Sequence, residues 1–315
     1  MKVLVTGASG FVGKHLINEL KNRNYDIYAA VREFTDSLPN YVKQVKFNLE
    51  NIGSLNEFLS SEQPHAIVHL AAISKVTDSW EAPVETFKIN TIGTVSLVQS
   101  VINYSPKTKI LSIGSSEEYG LTAYYNEIVS EFMPCNPQNP YAMSKFVAGN
   151  VAIQLAHKHG IKLIHVRPFN HFGPGQDIGF VISDFCSQIA KIEANRQEAV
   201  IKVGNLDAER DFTDVRDVVR AYAMLLEKEF IKNGIYNVSS GKPRKISDIL
   251  NTLLSNSTKK IEVVIDKKKF RPIEIQRFVG DSSKIYQEVG WKPLYNIDES
   301  LRETLEWWRK KISKI

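Results

Sequence analysis

The sequence predicts an α/β fold, a doubly wound parallel sheet with a smaller lobe after it, and three observations carry that expectation. Short β-rich runs, apolar throughout, alternate with amphipathic helical stretches over the first half of the chain. Strands apolar on both faces belong in a parallel sheet covered by helices on each side. A glycine-rich turn joins the first such run to the first helical stretch, and after Arg167-Pro168 the pattern changes, with Gly173-Pro174-Gly175 and Gly179 breaking the chain.

Taken in order, residues 2–6, 26–31, 66–70, 109–113 and 162–166 read as strands. Between them, 11–21 carries Val12, Leu16, Ile17 and Leu20 at helical spacing, and 84–101 reads as a longer helix. Beyond residue 167, helices are expected at 182–194 and 214–226, and Tyr236-Asn237-Val238 as a further strand. The expected division is a first domain over 1–166, to which 211–232 returns, and a second lobe made of 167–210 and 233–315.

Composition narrows the function classes. The 315 residues are 43% apolar and 24% charged, an ordinary globular balance. The net charge of +5 is scattered apart from Lys267-Lys268-Lys269, which gives nucleic acid or a membrane surface little to hold. Cys135 and Cys186 have no metal-ligand spacing, so neither a zinc site nor a disulfide framework is expected, and a reducing cytoplasm fits. The apolar run at the N-terminus is too short for a signal peptide, and no stretch approaches the length of a membrane span.

The turn Gly7-Ala8-Ser9-Gly10-Phe11-Val12-Gly13 has the form Gly-x-x-Gly-x-x-Gly between strand and helix. A backbone that turns tightly, approaches a pyrophosphate closely and lets the helix pack on the strand needs glycine at those positions, with the helix N-terminus facing the anion. The expectation is a dinucleotide site of the Rossmann type. At the end of the second strand Val31-Arg32 offers a guanidinium for a 2′-phosphate, which favours NADP(H). With Glu33 serving the ribose instead, NAD(H) is the alternative.

From here the residues resemble the extended short-chain dehydrogenase/reductase family, which acts mainly on nucleotide sugars. The resemblance rests on the glycine turn, His69-Leu70-Ala71-Ala72, Asn90, Ser115 with Tyr119-Gly120, Tyr141-Ala142-Met143-Ser144-Lys145 and Arg167-Pro168-Phe169-Asn170. Stretches 113–120, 170–176, 203–212 and 271–274 look most like its GDP-mannose 4,6-dehydratase branch, and within that branch like the bacterial reductases of GDP-4-keto-6-deoxy-mannose. The resemblance places Gly7, Gly10, Phe11, Val12, Gly13, Leu70, Ala71, Ala72 and Asn90 at the cofactor, with Asn90 also supporting the catalytic helix. Where the family commonly has an aspartate for the adenine, this chain has Asn48-Leu49-Glu50, and Asn48 is the expected contact.

Tyr141 and Lys145, four apart on a helix, share one face. A neighbouring ammonium and the positive nicotinamide together favour the phenolate and bring the tyrosine toward a useful proton donor and acceptor at neutral pH, with Ser115 orienting the same sugar oxygen. The expected reaction is reduction of the C4 ketone of a GDP-4-keto-6-deoxy sugar, or of its heptose equivalent, with hydride going to carbon and a proton from Tyr141 to oxygen. Glu117 occupies the position the related dehydratases use to remove the C5 proton. A lyase that returns its hydride is therefore one alternative, a sugar-binding role for Glu117 in a reductase another, and a non-catalytic NADP- or RNA-binding relative a third. For the substrate, Ser116 and Glu117 are expected at the sugar, Asn170, Arg210 and Arg271 at the diphosphate, Glu274 at the ribose, and Phe180, Val181, Lys202 and Val203 around the base. Family resemblance also implies a homodimer through helices near 84–105 and 142–157.

Overall fold

The computed structural model describes residues 1–48, 52–229, 231, 234–270 and 275–314. Strands β1 (Lys2–Thr6), β2 (Asp26–Val31), β3 (Lys43–Lys46), β4 (Ala66–His69) and β5 (Lys109–Ile113) alternate with helices α1 (Phe11–Asn22), α2 (Gly53–Glu62), α3 (Val76–Glu81), α4 (Pro83–Phe87) and α5 (Gly93–Tyr104). There follow α6 (Thr122–Tyr125), β6 (Ile128–Val129), the long α7 (Pro140–His159), β7 (Leu163–Pro168), β8 (Asn170–Phe172), α8 (Val181–Glu193), β9 (Val200–Val203), β10 (Glu209–Asp214) and α9 (Val215–Glu227). The last part comprises β11 (Gly234–Val238), β12 (Pro243–Lys245), α10 (Ile246–Ser255), β13 (Glu262–Ile265), β14 (Arg277–Gly280), α11 (Ser283–Val289) and α12 (Ile297–Ser313).

Seven strands form one parallel sheet in the order β11-β7-β5-β4-β1-β2-β3. Successive residues of β1 serve opposite cores: Val3 and Val5 pack with α1 and α9, while Leu4 packs with α2, α5 and α7. Two-sided burial is why these strands read as unbroken apolar runs. The chain winds outward from β1 through β2 to β3, then returns to β4 beside β1. The crevice beyond the carboxyl ends of β1 and β4 is where such sheets take ligands.

Three elements differ from the sequence expectation. The strand at 236–238 belongs to the large sheet and not to the lobe, because β11 pairs in parallel with β7 and covers what would otherwise be an apolar edge. Behind it Ile285 of α11 and Trp291 are fully buried in the first core, so the stretch 233–315 divides between the two units. β3 escaped the search for apolar runs because it is the edge strand, with lysines at both ends and an exposed to half-buried pattern. The long helix expected at 84–101 is interrupted by a π-helical turn at Lys88–Ile92. In the lobe, β10 lies between β12 and β14 and also pairs with β8, while α8, α10 and α12 enclose a core that includes Phe172, Phe185, Leu250, Leu305 and Trp308.

Candidate active site

The glycine turn is built as its spacing implies. Gly7 has φ +67°, and a Cβ there would lie 2.9 Å from the Ala71 nitrogen; a Cβ on Gly13 would lie 2.4 Å from the Gly7 carbonyl oxygen. These clearances let α1 sit directly on β1 and bring Leu70, Ala71 and Ala72 against the turn. Gly10 is the N-cap of α1, has no side chain to cap it, and no acidic residue follows in the first turn. The first N–H groups of the helix are thus left for an anion. Phe11 and Val12 are partly buried beside it, and Phe11 stacks on His171 with ring centroids 6.2 Å apart.

Beyond the turn a cleft of about 920 Å³ is lined by Ser9, Arg32, Thr35, Ser37, Lys46, Asn48 and Ser54. Two cations and several hydroxyls could hold a phosphorylated adenosine ribose, and Arg32 and Asn48 both line the cleft. Glu33 does not face the cleft alone: its carboxylate pairs with Lys46 at 3.1 Å. Lys46 ends β3, an edge strand whose polar pattern carries no apolar periodicity. Leu49 lies outside the described residues.

Asn90 lies in the π-helical turn, and its side chain is spent inside the protein. Its Oδ1 accepts from Ile73 N–H at 2.9 Å, and its Nδ2 donates to the Ile73 carbonyl and to Ser144 Oγ, both at 3.0 Å. It ties the loop after β4 to α7, so the supporting role holds; with 1% exposure and both ends of the amide engaged, the cofactor contact also assigned to it does not. His69 is likewise buried, between Thr6 Oγ1 at 2.8 Å and Thr94 Oγ1 at 3.0 Å. Burial pushes its pKa down to about 3, with Lys145 adding to the effect, so the imidazole is neutral.

The catalytic candidates converge at the end of β5. Ser115 caps a 3₁₀ turn, Ser116–Tyr119, and its Oγ accepts from Glu117 N–H at 3.1 Å. The same hydroxyl pairs with Tyr141 from the first turn of α7. That helix starts where it does because Asn139 caps it, accepting from Ala142 N–H at 2.8 Å, with Pro140 at the first helical position. Lys145 Nζ donates to the Ile113 carbonyl at 2.7 Å.

Burial raises the Tyr141 pKa to about 12; the Ser115 hydroxyl opposes the rise, while Glu117 and Glu118 add to it. Lys145 does not bring it down, because its ammonium is turned to Ile113 and is itself lowered by burial to about 8. Within the protein alone, Tyr141 is a protonated phenol at neutral pH.

Glu117 is half-buried and accepts from Asn139 Nδ2 at 3.2 Å, while Ser116 is buried beside it. Asn170 begins β8 and pairs with Phe212, and Phe180 and Val181 form the N-terminal end of α8. Arg210 on β10 is half-buried and donates to the Glu209 carbonyl at 2.9 Å. Lys202 and Val203 cannot both serve the base. Strand alternation exposes Lys202 and sends Val203, 1% exposed, into the core of the lobe, so Val203 is withdrawn from the binding wall. Arg271 and Glu274 lie outside the described residues.

Glu118 is the residue that the sequence reading passed over. It is fully buried, and three donors converge on its carboxylate: Ser115 N–H at 2.9 Å, His165 Nε2 at 3.0 Å and Arg167 Nε at 2.8 Å. The signal was present: Ser115-x-x-Glu118 is a capping box, and the structure forms it in both directions.

Comparison with known proteins follows this geometry. A family model described as GDP-mannose 4,6 dehydratase matches residues 4–304. The GDP-6-deoxy-D-mannose reductase of Pseudomonas aeruginosa is 34% identical, the alignment covering 99% of this chain and 98% of that one. The GDP-6-deoxy-D-talose 4-dehydrogenase of Aggregatibacter actinomycetemcomitans is 31% identical over 92% of each chain. Among solved structures, RMD from Pseudomonas aeruginosa complexed with NADPH superposes with a TM-score of 0.86 at 33% identity, covering 98% of this chain and 99% of that one.

Proposed function

The chain belongs to the GDP-mannose 4,6-dehydratase family, and from that membership we propose that it reduces the C4 ketone of a GDP-4-keto-6-deoxy sugar with NADPH, yielding a GDP-6-deoxyhexose. The observation that carries this reading is the meeting of Ser115, protonated Tyr141 and Lys145 beside the glycine turn. Full-length similarity to a GDP-6-deoxy-D-mannose reductase, and to a structure solved with NADPH, supports it.

The residues fit the cofactor. The open N-terminus of α1 with Gly7, Gly10 and Gly13 suits the pyrophosphate, and Arg32 with Lys46 suits a 2′-phosphate. When bound, NADPH supplies the hydride. Tyr141 gives its phenolic proton to the ketone oxygen, so the product is an alcohol and the phenolate is reprotonated from solvent. Ser115 Oγ accepts from Glu117 N–H and pairs with Tyr141, which holds the hydroxyl beside the phenol so that both face the same sugar oxygen. Lys145, one turn along α7 and held by the Ile113 carbonyl, supplies the cation on that helix face. Glu117, with Asn139, contacts the sugar, while Asn170, Phe180, Val181, Lys202 and Arg210 receive the nucleotide, together with Arg271 and Glu274.

The test mixes the protein with NADPH and GDP-4-keto-6-deoxy-mannose, follows the reduced-nicotinamide absorbance and identifies the product by NMR. Stoichiometric oxidation with a rhamno- or talo-configured product supports the reading and reports which face of the ketone is presented. No oxidation, with GDP-mannose instead dehydrated without net cofactor use, replaces the reductase by the lyase.

A homodimer through α3 to α5 and α7 forms part of the same reading. Trp80 of α3, Val84 of α4 and Ile92 of the π-helical turn stand exposed at 62%, 81% and 60%. Sedimentation of the wild type against Val84→Asp tests it, a single monomeric species in both excluding the dimer. The free thiols of Cys135 and Cys186 are consistent with a cytoplasmic setting, and among the described residues no helix is long and apolar enough to cross a membrane.

A further inference from the structure

We propose that Glu118 is a positioning residue of the reaction: its buried carboxylate, fixed by His165 and Arg167, sets the backbone of Ser115 and the helix face that carries Tyr141 and Lys145. The inference rests on the reductase reading above and concerns a residue that does not itself touch the substrate.

The geometry around Glu118 is over-determined. Side chains from the 3₁₀ turn and from β7 meet in a space where Glu118 has no exposure and His165 and Arg167 have 2% each. An acceptor-only group is required, because Ser115 N–H, His165 Nε2 and Arg167 Nε all point at it. Arg167 also lies over the Tyr119 ring at 4.7 Å, and the Tyr119 hydroxyl donates to Asn237 Oδ1 at 2.8 Å, which extends the frame to β11.

Two glycines make room for this cluster, and both lie next to catalytic groups. A Cβ on Gly114 would fall 2.2 Å from Glu118 Oε1, and one on Gly149 would fall 2.4 Å from His165 Cε1. Gly149 is four residues beyond Lys145 and eight beyond Tyr141, hence on the same face of α7. The His165 ring thus packs directly on α7 at Gly149, one turn beyond Lys145. From the other side the carboxylate holds Ser115 N–H, and Ser115 Oγ in turn holds Glu117 N–H. A single buried carboxylate thus locks the serine and, through the imidazole, the tyrosine and lysine.

The carboxylate also acts through its field. Burial raises Tyr141, Glu117 and Glu118 raise it further, Tyr222 of α9 couples to it, and Lys145 lies one turn on in the same helix. Glu118 also raises the Lys145 ammonium against its burial, so removing the negative charge at 118 lowers both the ammonium and the phenol, and the alkaline limb of the rate profile moves to lower pH.

The test compares wild type, Glu118→Gln and Glu118→Asp on the 4-keto sugar nucleotide that the wild type reduces. Glu118→Gln sets an amide donor against Arg167 and His165. The expected result is a fall in kcat of about 100-fold with KM for NADPH within twofold, and an alkaline limb displaced downward. Glu118→Asp keeps the charge and folds with Arg167 compensated; the limb returns to its wild-type position while kcat recovers in part. Wild-type-like kcat in both variants overturns the proposal. So does a loss in which kcat, NADPH binding and melting temperature all decline together in both variants. A wild type that oxidises no NADPH counts against the function itself, whereas the ratio of variant to wild type counts for or against Glu118.

Discussion

The cluster around Ser115 and the cleft around Arg32 hold their charges in opposite ways. At the catalytic end Glu118, His165, Arg167 and Lys145 are buried, and each has a protein partner. At the adenosine end Arg32 is exposed, and Lys46 and Glu33 form a pair with side chains 60% and 80% exposed. Groups that act on reacting atoms must already be in place when the substrate arrives, because reorganisation at that moment raises the barrier. Groups that grip a phosphate can complete their partnerships on binding, at little cost from a solvated pair of small energetic weight.

Four measurements can break or sharpen that contrast. The largest effect belongs to Tyr141→Phe, which removes the proton donor from a finished site: kcat falls about 10³-fold while NADPH affinity, read by fluorescence titration, stays within a factor of two. Parallel loss of both would erase the distinction between the two ends.

Next is the acid side of stability. His69 is held near pKa 3, below its ordinary 6.5, so the unfolded chain binds the proton more readily. Its contribution is complete above pH 6.5 and is lost as pH falls toward 3, at up to about 1.4 kcal/mol per unit. Glu118, lowered to about 2 against a usual 4.5 because His165, Arg167 and the Ser115 N–H outweigh its burial, adds a second loss below pH 4.5. Urea midpoints between pH 8 and 4 should show the first loss in the wild type and a shallower slope in His69→Gln; equal slopes refute the assignment.

At the adenosine end, Arg32→Ala raises KM for NADPH about tenfold and leaves NADH unaffected, and added salt reproduces part of the effect in the wild type. An equal rise for both cofactors would mean that Arg32 does not meet the 2′-phosphate. The smallest effect is at Glu117→Gln, where KM for the sugar nucleotide rises about threefold. A loss of turnover beyond 100-fold would instead make Glu117 the base of an elimination.

How much was legible in advance follows the range of the interactions concerned. Gly7, Gly10 and Gly13 declare themselves because turn, helix start and close approach are local demands, whereas helical spacing puts Tyr141 and Lys145 on one face but only family resemblance picks that pair out. The capping role of Glu118 is equally local, but its burial and its ring of donors come from β7, 47 and 49 residues further along the chain. The same holds for β11, a strand by pattern whose sheet is chosen by the open edge of β7.

The amino-acid sequence by itself determined the parallel α/β architecture and the strand-turn-helix placing of the glycines, since each rests on periodicity or spacing within one element, while family resemblance singled out Ser115, Tyr141 and Lys145 as candidates. Tertiary structure alone decided that Tyr141 is a phenol raised to about 12, that Lys145 is turned to the Ile113 carbonyl, that Val203 faces the core and that Glu118 stands behind the serine. Protonation and orientation depend on the solvent excluded and the charges gathered by distant segments, and those quantities exist once the chain has packed.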